Sequence, residues 1–177
     1  VEGNGQHELL RLLAGRLQPS RGHVERPAVV GFVPEDRHRA ALIMDFTLAE
    51  NVALQGAGAR TGVVPWRRIE EATRAIMSAF DVRASSALAR ADSLSGGNQQ
   101  RFVLGRELHE SPRAVVVENP SRGLDVRATA TVHEQLRAAR DRGTAIVIYT
   151  SDLEELLELA DRVVVCFGGN VRSVPAR

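Results

Sequence analysis

The stretch that most constrains this chain is Ser93 to Arg101, S-L-S-G-G-N-Q-Q-R, which joins a hydroxyl and two adjacent glycines to an apolar run of Phe102, Val103, Leu104 and Leu108. The pattern predicts a helix opening at Ser95, Gly96 and Gly97. A helix start leaves backbone N–H groups unpaired at the positive end of the dipole, where an anion such as phosphate is stabilised. Glycines let the backbone approach that anion closely, whereas a side chain would hold it away. Read alone, S-G-G is also the composition of a glycine-rich helix cap.

A second glycine turn stands near the amino terminus, in E-G-N-G-Q-H-E-L-L. Gly3, Asn4, Gly5, Gln6 and His7 lead into a helix predicted over Glu8 to Leu17, with Leu9, Leu12, Leu13 and Arg16 at helical spacing and Pro19 as its stop. A glycine turn feeding a helix has the geometry of a phosphate loop, although G-x-G alone is also an ordinary turn. Opening at Val1, the segment reads as the middle of a motif whose preceding strand lies outside the sequence.

Composition narrows the options. At 177 residues and 44% hydrophobic, the chain holds one sizeable core with room for a subdomain. Its 23 basic and 22 acidic residues are spread along it, so neither a nucleic-acid stripe nor an acidic tail stands out. Every basic residue among Lys and Arg is arginine; a phosphate site here has no lysine to use. Cys166, the only cysteine, lies in an apolar run and is expected to be a small buried residue. The five histidines show no ligand spacing, and no segment approaches the roughly 18 apolar residues of a membrane span.

The remaining landmarks punctuate a strand-and-helix alternation. Ala28 to Val33 reads as a buried strand and leads into P-E-D-R, with Glu35 in a charged turn. Thr47 and Glu50 form a capping box that opens a helix. Pro65 starts another, with Ile69, Ala72, Ile76 and Phe80 on one face and Trp66 in its first turn, expected to pack. Ala114 to Val117 is an apolar strand ending in E-N-P-S-R-G-L-D, which carries Glu118, Asn119 and Asp125. Val126 to Arg140 is a helix with Val132 and Leu136 inward. Thr144 to Ile148 reads as the next buried strand, running into Y-T-S-D, with Ser151 within it. Asp152 to Leu159 is a short helix whose E-E-L-L-E-L-A-D run reads as a solvated face. Arg162 to Phe167 is a strand, followed by a Gly168-Gly169-Asn170 turn into Val171. The expectation is an α/β fold with a mostly parallel sheet formed by residues 1–34 and 110–177, and a helical block at 35–109.

Taken in order, these landmarks resemble the ATPases of ATP-binding cassette (ABC) transporters, with L-S-G-G-N-Q-Q-R similar to their signature motif in simple-sugar and nucleoside importers, particularly carboxy-terminal ATPase halves. The resemblance implies a P-loop NTPase-like fold whose helical subdomain carries the signature. It implies ATP and Mg²⁺ as cofactors, with Gly3, Asn4, Gly5, Gln6, His7, Glu35, Ser95, Gly96, Gly97, Asn98 and Asp125 at nucleotide positions. Glu118, Asn119 and Ser151 take catalytic positions, and His7 and Glu118 the metal positions. Several of these depart from the family pattern. In G-x-x-G-x-G-K-[ST], Gln6 replaces the lysine and His7 the hydroxyl; Glu118 and Asn119 stand where D-E is usual; Glu35 replaces a glutamine and Ser151 a histidine. The resemblance therefore implies a degenerate ATP site of its own and a signature lent to a partner ATPase domain paired head to tail. Transmembrane permease subunits, and indirectly a periplasmic or extracellular solute-binding protein, would complete the assembly at the cytoplasmic face of the membrane, with no nucleic acid involved. A catalytically inactive structural module is an alternative. A chromosome-maintenance ATPase would need a long coiled coil, and no sustained heptads occur between Asp36 and Ser93.

Overall fold

The computed structural model describes residues 3–174; Val1, Glu2 and residues 175–177 lie outside, together with the expected strand before Gly3. Three strands, β1 (Gly31–Val33), β2 (Ala114–Glu118) and β3 (Ala145–Tyr149), form a parallel sheet in that order. Val33 lies opposite Val117, and Glu118 opposite Tyr149. Parallel strands covered on both faces read as continuous apolar runs, and Val115, Val116 and Val117 are accordingly at most 1% exposed.

Side chains alternate across the sheet and define two cores. Val33, Val115 and Val117 face the larger one with Phe102, Leu104, Val132 and Leu136. Phe32 and Val116 face the smaller one with Leu10 and Ala14. Helix α1 (Gln6–Leu13) therefore covers one face, while α5 (Gly96–Leu108) and α6 (Val126–Asp141) cover the other.

Between β1 and β2 the chain forms helices and turns: α2 (Arg37–Ala40), α3 (Leu48–Ala53), α4 (Trp66–Ala79) and then α5. The capping box at α3 forms as expected, Thr47 Oγ1 accepting from the Glu50 amide at 3.1 Å and Glu50 accepting from the Thr47 amide at 2.7 Å. Helix α5 is buried on several sides, with Phe102, Val103, Leu104 and Leu108 at 0–2% exposure. Each such side chain contributes about 1.5–3 kcal/mol relative to an exposed one. Its crossing with α4 depends on Gly105, where a Cβ would lie 2.8 Å from the Phe80 ring and 2.9 Å from Ile76.

Beyond β2, Asp125 caps α6 and Asp152 caps α7 (Leu153–Leu159). The antiparallel pair β4 (Val163–Phe167) and β5 (Asn170–Val174) turns at Gly168 and Gly169, both at positive φ. Between β3 and β4 runs a groove of about 400 Å³ floored by Ile146, Ile148, Leu156 and Val163.

Several sequence expectations change. The first strand is confined to Gly31–Val33, and Val29 is 71% exposed, because only those three residues find partners on β2. Helix α1 begins at Gln6 and ends before Gly15, whose φ of 70° closes it ahead of Pro19. Strand β3, expected to be buried, is an edge of the described sheet with Val147 37% exposed; Cys166 is only half-buried, since β4 has β5 as its sole strand partner among the described residues; and Trp66, in the first turn of α4, is 46% exposed. The acidic run on α7 is not wholly solvated: Glu155 is buried and pairs with His133 of α6 at 2.8 Å.

Candidate functional site

The carboxyl ends of the parallel strands gather the first group of predicted residues, the usual place for a ligand in such sheets. Gly3 and Gly5 adopt φ of 85° and 88°, a conformation that favours glycine, and Gly5 is the residue from which α1 springs. Gln6 is buried and turns back, its Oε1 accepting the Asn4 amide at 2.9 Å, while its Nε2 has no hydrogen-bond partner. Asn4 also holds the β4–β5 turn, accepting from the Gly168 amide at 3.0 Å and the Gly169 amide at 3.3 Å. His7 sits with Nδ1 3.6 Å from Glu118 Oε1 and its ring edge-on to Tyr149, centroids 5.7 Å apart.

Glu118 ends β2 and is 4% exposed. Its Oε2 accepts the Glu35 amide at 3.1 Å; its Oε1 is buried without a hydrogen bond. Glu35 pairs with Arg122. Asn119 follows in the left-handed region at φ 42°, which asparagine tolerates better than most residues. Its amide donates to Tyr149 O at 2.6 Å and its Oδ1 accepts the Ser151 amide at 3.0 Å, tying the ends of β2 and β3 together. A cavity of about 850 Å³ opens over His7, Glu35, Arg37, Glu118 and Arg122.

The second group lies elsewhere. Ser95 is exposed and stands as the N-cap of α5, yet its side chain makes no cap bond to the backbone and instead accepts from Asn98 Nδ2 at 3.0 Å. Gly96 and Gly97 are half-buried and begin the helix, whose first amides have no intrahelical partner. Asn98 faces the protein, its Oδ1 accepting from the Arg83 amide and from Arg101, each at 2.8 Å. Gly97 lies beside Ala128, in the first turn of α6, where Asp125 Oδ1 accepts the Ala128 amide at 2.8 Å. The structure thus separates the predicted residues into the loop of Gly3–His7 with Glu35, Glu118, Asn119 and Ser151, and the start of α5 with Asp125 close by.

The molecule resembles solved ATP-binding cassettes. The dimeric post-hydrolysis state of the cassette MJ0796 bound to ADP and Pi superposes with a TM-score of 0.80 at 20% identity, over 100% of this chain and 83% of that one. No family profile matches. Curated relatives include the nucleoside import ATP-binding protein NupA of Lactococcus lactis, 36% identical over 98% of this chain and 38% of its own length. The guanosine import ATP-binding protein NupO of Bacillus subtilis is 33% identical over 97% and 37%. A ribose import ATP-binding protein, RbsA 1 of Burkholderia thailandensis, is 35% identical over 83% and 30%. The chain belongs to the ATP-binding cassette family. It spans under two fifths of the length of these relatives.

At the end of β2 the site offers a magnesium ion one carboxylate, Glu118, whose Oε1 is buried without a hydrogen bond, and the imidazole of His7 where a hydroxyl is usual. In nucleotide sites that ion is commonly held through one or two carboxylates together with substrate phosphates, so Glu118 is the residue that would hold it. Among the described residues no three His, Cys, Asp or Glu side chains cluster as metal ligands. At the start of α5, Gly96 and Gly97 carry no side chain and Ser95 is exposed. Sequence reasoning missed Gln99 and Gln100, buried polar residues of α5. Gln100 Nε2 donates to Pro120 O at 3.1 Å, joining the signature helix to the N-P-S-R turn. Both lay inside the motif, and an N-Q-Q-R run heading an otherwise apolar helix was the available signal.

Proposed function

We propose that this chain is an ATP-binding domain of an importer for simple sugars or nucleosides, and that it lends its signature to the ATP site of a partner ATPase domain while its own site is degenerate. The observation that carries the reading is the contrast between the two helix starts. At α5, exposed Ser95 and two glycines leave the first amides open to an anion. At α1, an amide that could face phosphate is taken by Gln6, and neither lysine charge nor hydroxyl is present.

The chemistry at the β2 terminus supports the same view. Asn119 carries an amide where the family places a general base, and an amide does not take a proton from water; loss of such a group typically costs about 10² to 10⁴ in rate. The importer names of the relatives support the transport assignment, with permease subunits as further partners at the cytoplasmic membrane face. No helix among the described residues is long and apolar enough to cross a membrane.

The test is Ser95→Arg in the full-length protein assembled with its partners. The larger cationic side chain blocks the approach to Gly96, and hydrolysis at the partner's site is expected to disappear. Unchanged hydrolysis would overturn the assignment. Titration calorimetry with Mg-ATP on this chain separately distinguishes a weak site at Gly3–His7 from one that binds nothing.

A further inference from the structure

Gln99 is 4% exposed, and all of its hydrogen-bonding capacity is directed at two segments. Its Nε2 donates to Ala91 O and Leu94 O, both at 3.1 Å, fixing the turn that leads into Ser95. Its Oε1 lies 3.2 Å from the Arg37 Nε that donates to it and 2.9 Å from His38 Nε2, both residues of the P-E-D-R helix. A single buried carboxamide therefore spans the gap between α2, which borders the cavity at Glu118, and the loop that carries the signature.

Its orientation has a consequence at Gly96. A Cβ there would lie 2.9 Å from Arg37 Nη2, so the guanidinium packs against Gly96 at the start of α5. Cations are disfavoured at the start of a helix, where the dipole is positive. Asp36, the nearest acid in sequence, uses Oδ1 as a cap for the His38 and Arg39 amides.

We propose that Gln99 is a positioning residue for the signature loop: it holds Arg37 against Gly96 and couples the P-E-D-R helix to the surface offered to the neighbour's nucleotide. This rests on the reading that Ser95 to Gly97 complete a neighbour's ATP site. Arg37, not a lysine, is then the cation beside that site. Movement of α2 would be felt at Gly96 through one hydrogen-bonded side chain.

The experiment is a double-mutant cycle in the full-length protein assembled with its partners, using Arg37→Ala, Gln99→Leu and the pair. Each single variant is expected to lower kcat by about 10²-fold, the size of effect a misplaced group produces, with KM for ATP within about twofold. The pair is expected to be no worse than either alone. Gln99→Glu keeps an acceptor for Arg37 and is expected to recover part of the loss. Thermal midpoints of all variants are measured alongside. Should Gln99→Leu fail to fold, Arg37→Ala, a change at a half-exposed side chain, still decides. Wild-type kcat in Arg37→Ala, or strictly additive losses, would overturn the proposal. If Ser95→Arg abolishes hydrolysis while these variants do not, this inference alone fails; if Ser95→Arg is silent, the underlying reading fails first.

Discussion

Two helices of this molecule begin with glycines, and they have had different fates. Helix α1 starts at Gly5 and is anchored on a small cluster, Leu10 and Ala14 against Phe32 and Val116. Helix α5 starts at Ser95 and is held by the main core, by Gly105 against α4, and by Gln99 and Gln100 bonded to neighbouring turns. The first lacks the lysine and hydroxyl a phosphate loop uses, and its Gln6 side chain accepts the Asn4 backbone amide. The second retains open amides on a heavily buttressed frame. On the proposed reading the two starts differ less in their glycines, which both share, than in the side chains around them.

Pairing substitutions at the two starts gives the largest expected effect. Ser95→Arg is expected to reduce turnover of the assembled protein by at least about 10²-fold, comparable to removing a preorganised transition-state donor. Gln6→Ala, at the other start, is expected to leave turnover nearly unchanged. Steady-state hydrolysis at saturating ATP measures both, and equal losses would erase the distinction between the two loops.

The contrast in anchoring is tested at Gly105. Alanine there must push aside the Phe80 ring and Ile76, both part of the packed core. Overpacking of this kind costs about 1–3 kcal/mol, read as a lowered urea midpoint with little change in slope. A stability equal to wild type would mean that α5 is less tightly held than its contacts imply.

A gain is expected at α1. Gln6→Lys with His7→Thr restores the charge and the hydroxyl, and releases the Asn4 amide from the Gln6 carbonyl. A charge-assisted hydrogen bond contributes about 1.5–3 kcal/mol, so Mg-ATP affinity by calorimetry is expected to rise about tenfold or more. No gain would place the defect in the loop backbone.

The comparison also marks what was legible in the sequence. Ser95 at an exposed helix start, the valine strands and the capping box at Thr47 were readable because each depends on a few adjacent residues. Gln6 and His7 announced the loss of lysine and hydroxyl, but not that Gln6 folds back on the Asn4 amide. Trp66, Cys166 and Val29 were assigned to the interior on hydrophobicity, and are exposed or half-exposed because no described neighbour covers them. The Gln99 bridge and the Gly105 crossing were hidden for another reason: their partners stand 5 to 62 positions away in the chain, and the fold brings them together.

The smallest effect concerns acid. The segment before Ser95 is pinned to Met44–Thr47, the Ala91 amide donating to Phe46 O at 2.9 Å and the Asp92 amide to Met44 O at 3.0 Å. Hydrogen bonding from Arg90 holds the Asp92 carboxyl below the usual aspartate range, and the Thr47 amide does the same for Glu50. A depressed folded-state pKa contributes stability that is complete above the unfolded value of about 4 and lost as pH falls through the folded value. Asp92 is exposed and Glu50 half-buried on the surface, so the contribution is small. Hydrogen exchange followed from pH 6 towards pH 3, after correction for intrinsic rates, is expected to show residues 88–95 loosening slightly ahead of α1. Simultaneous loosening of both would show that acid acts on the shared sheet and not on the approach to the signature.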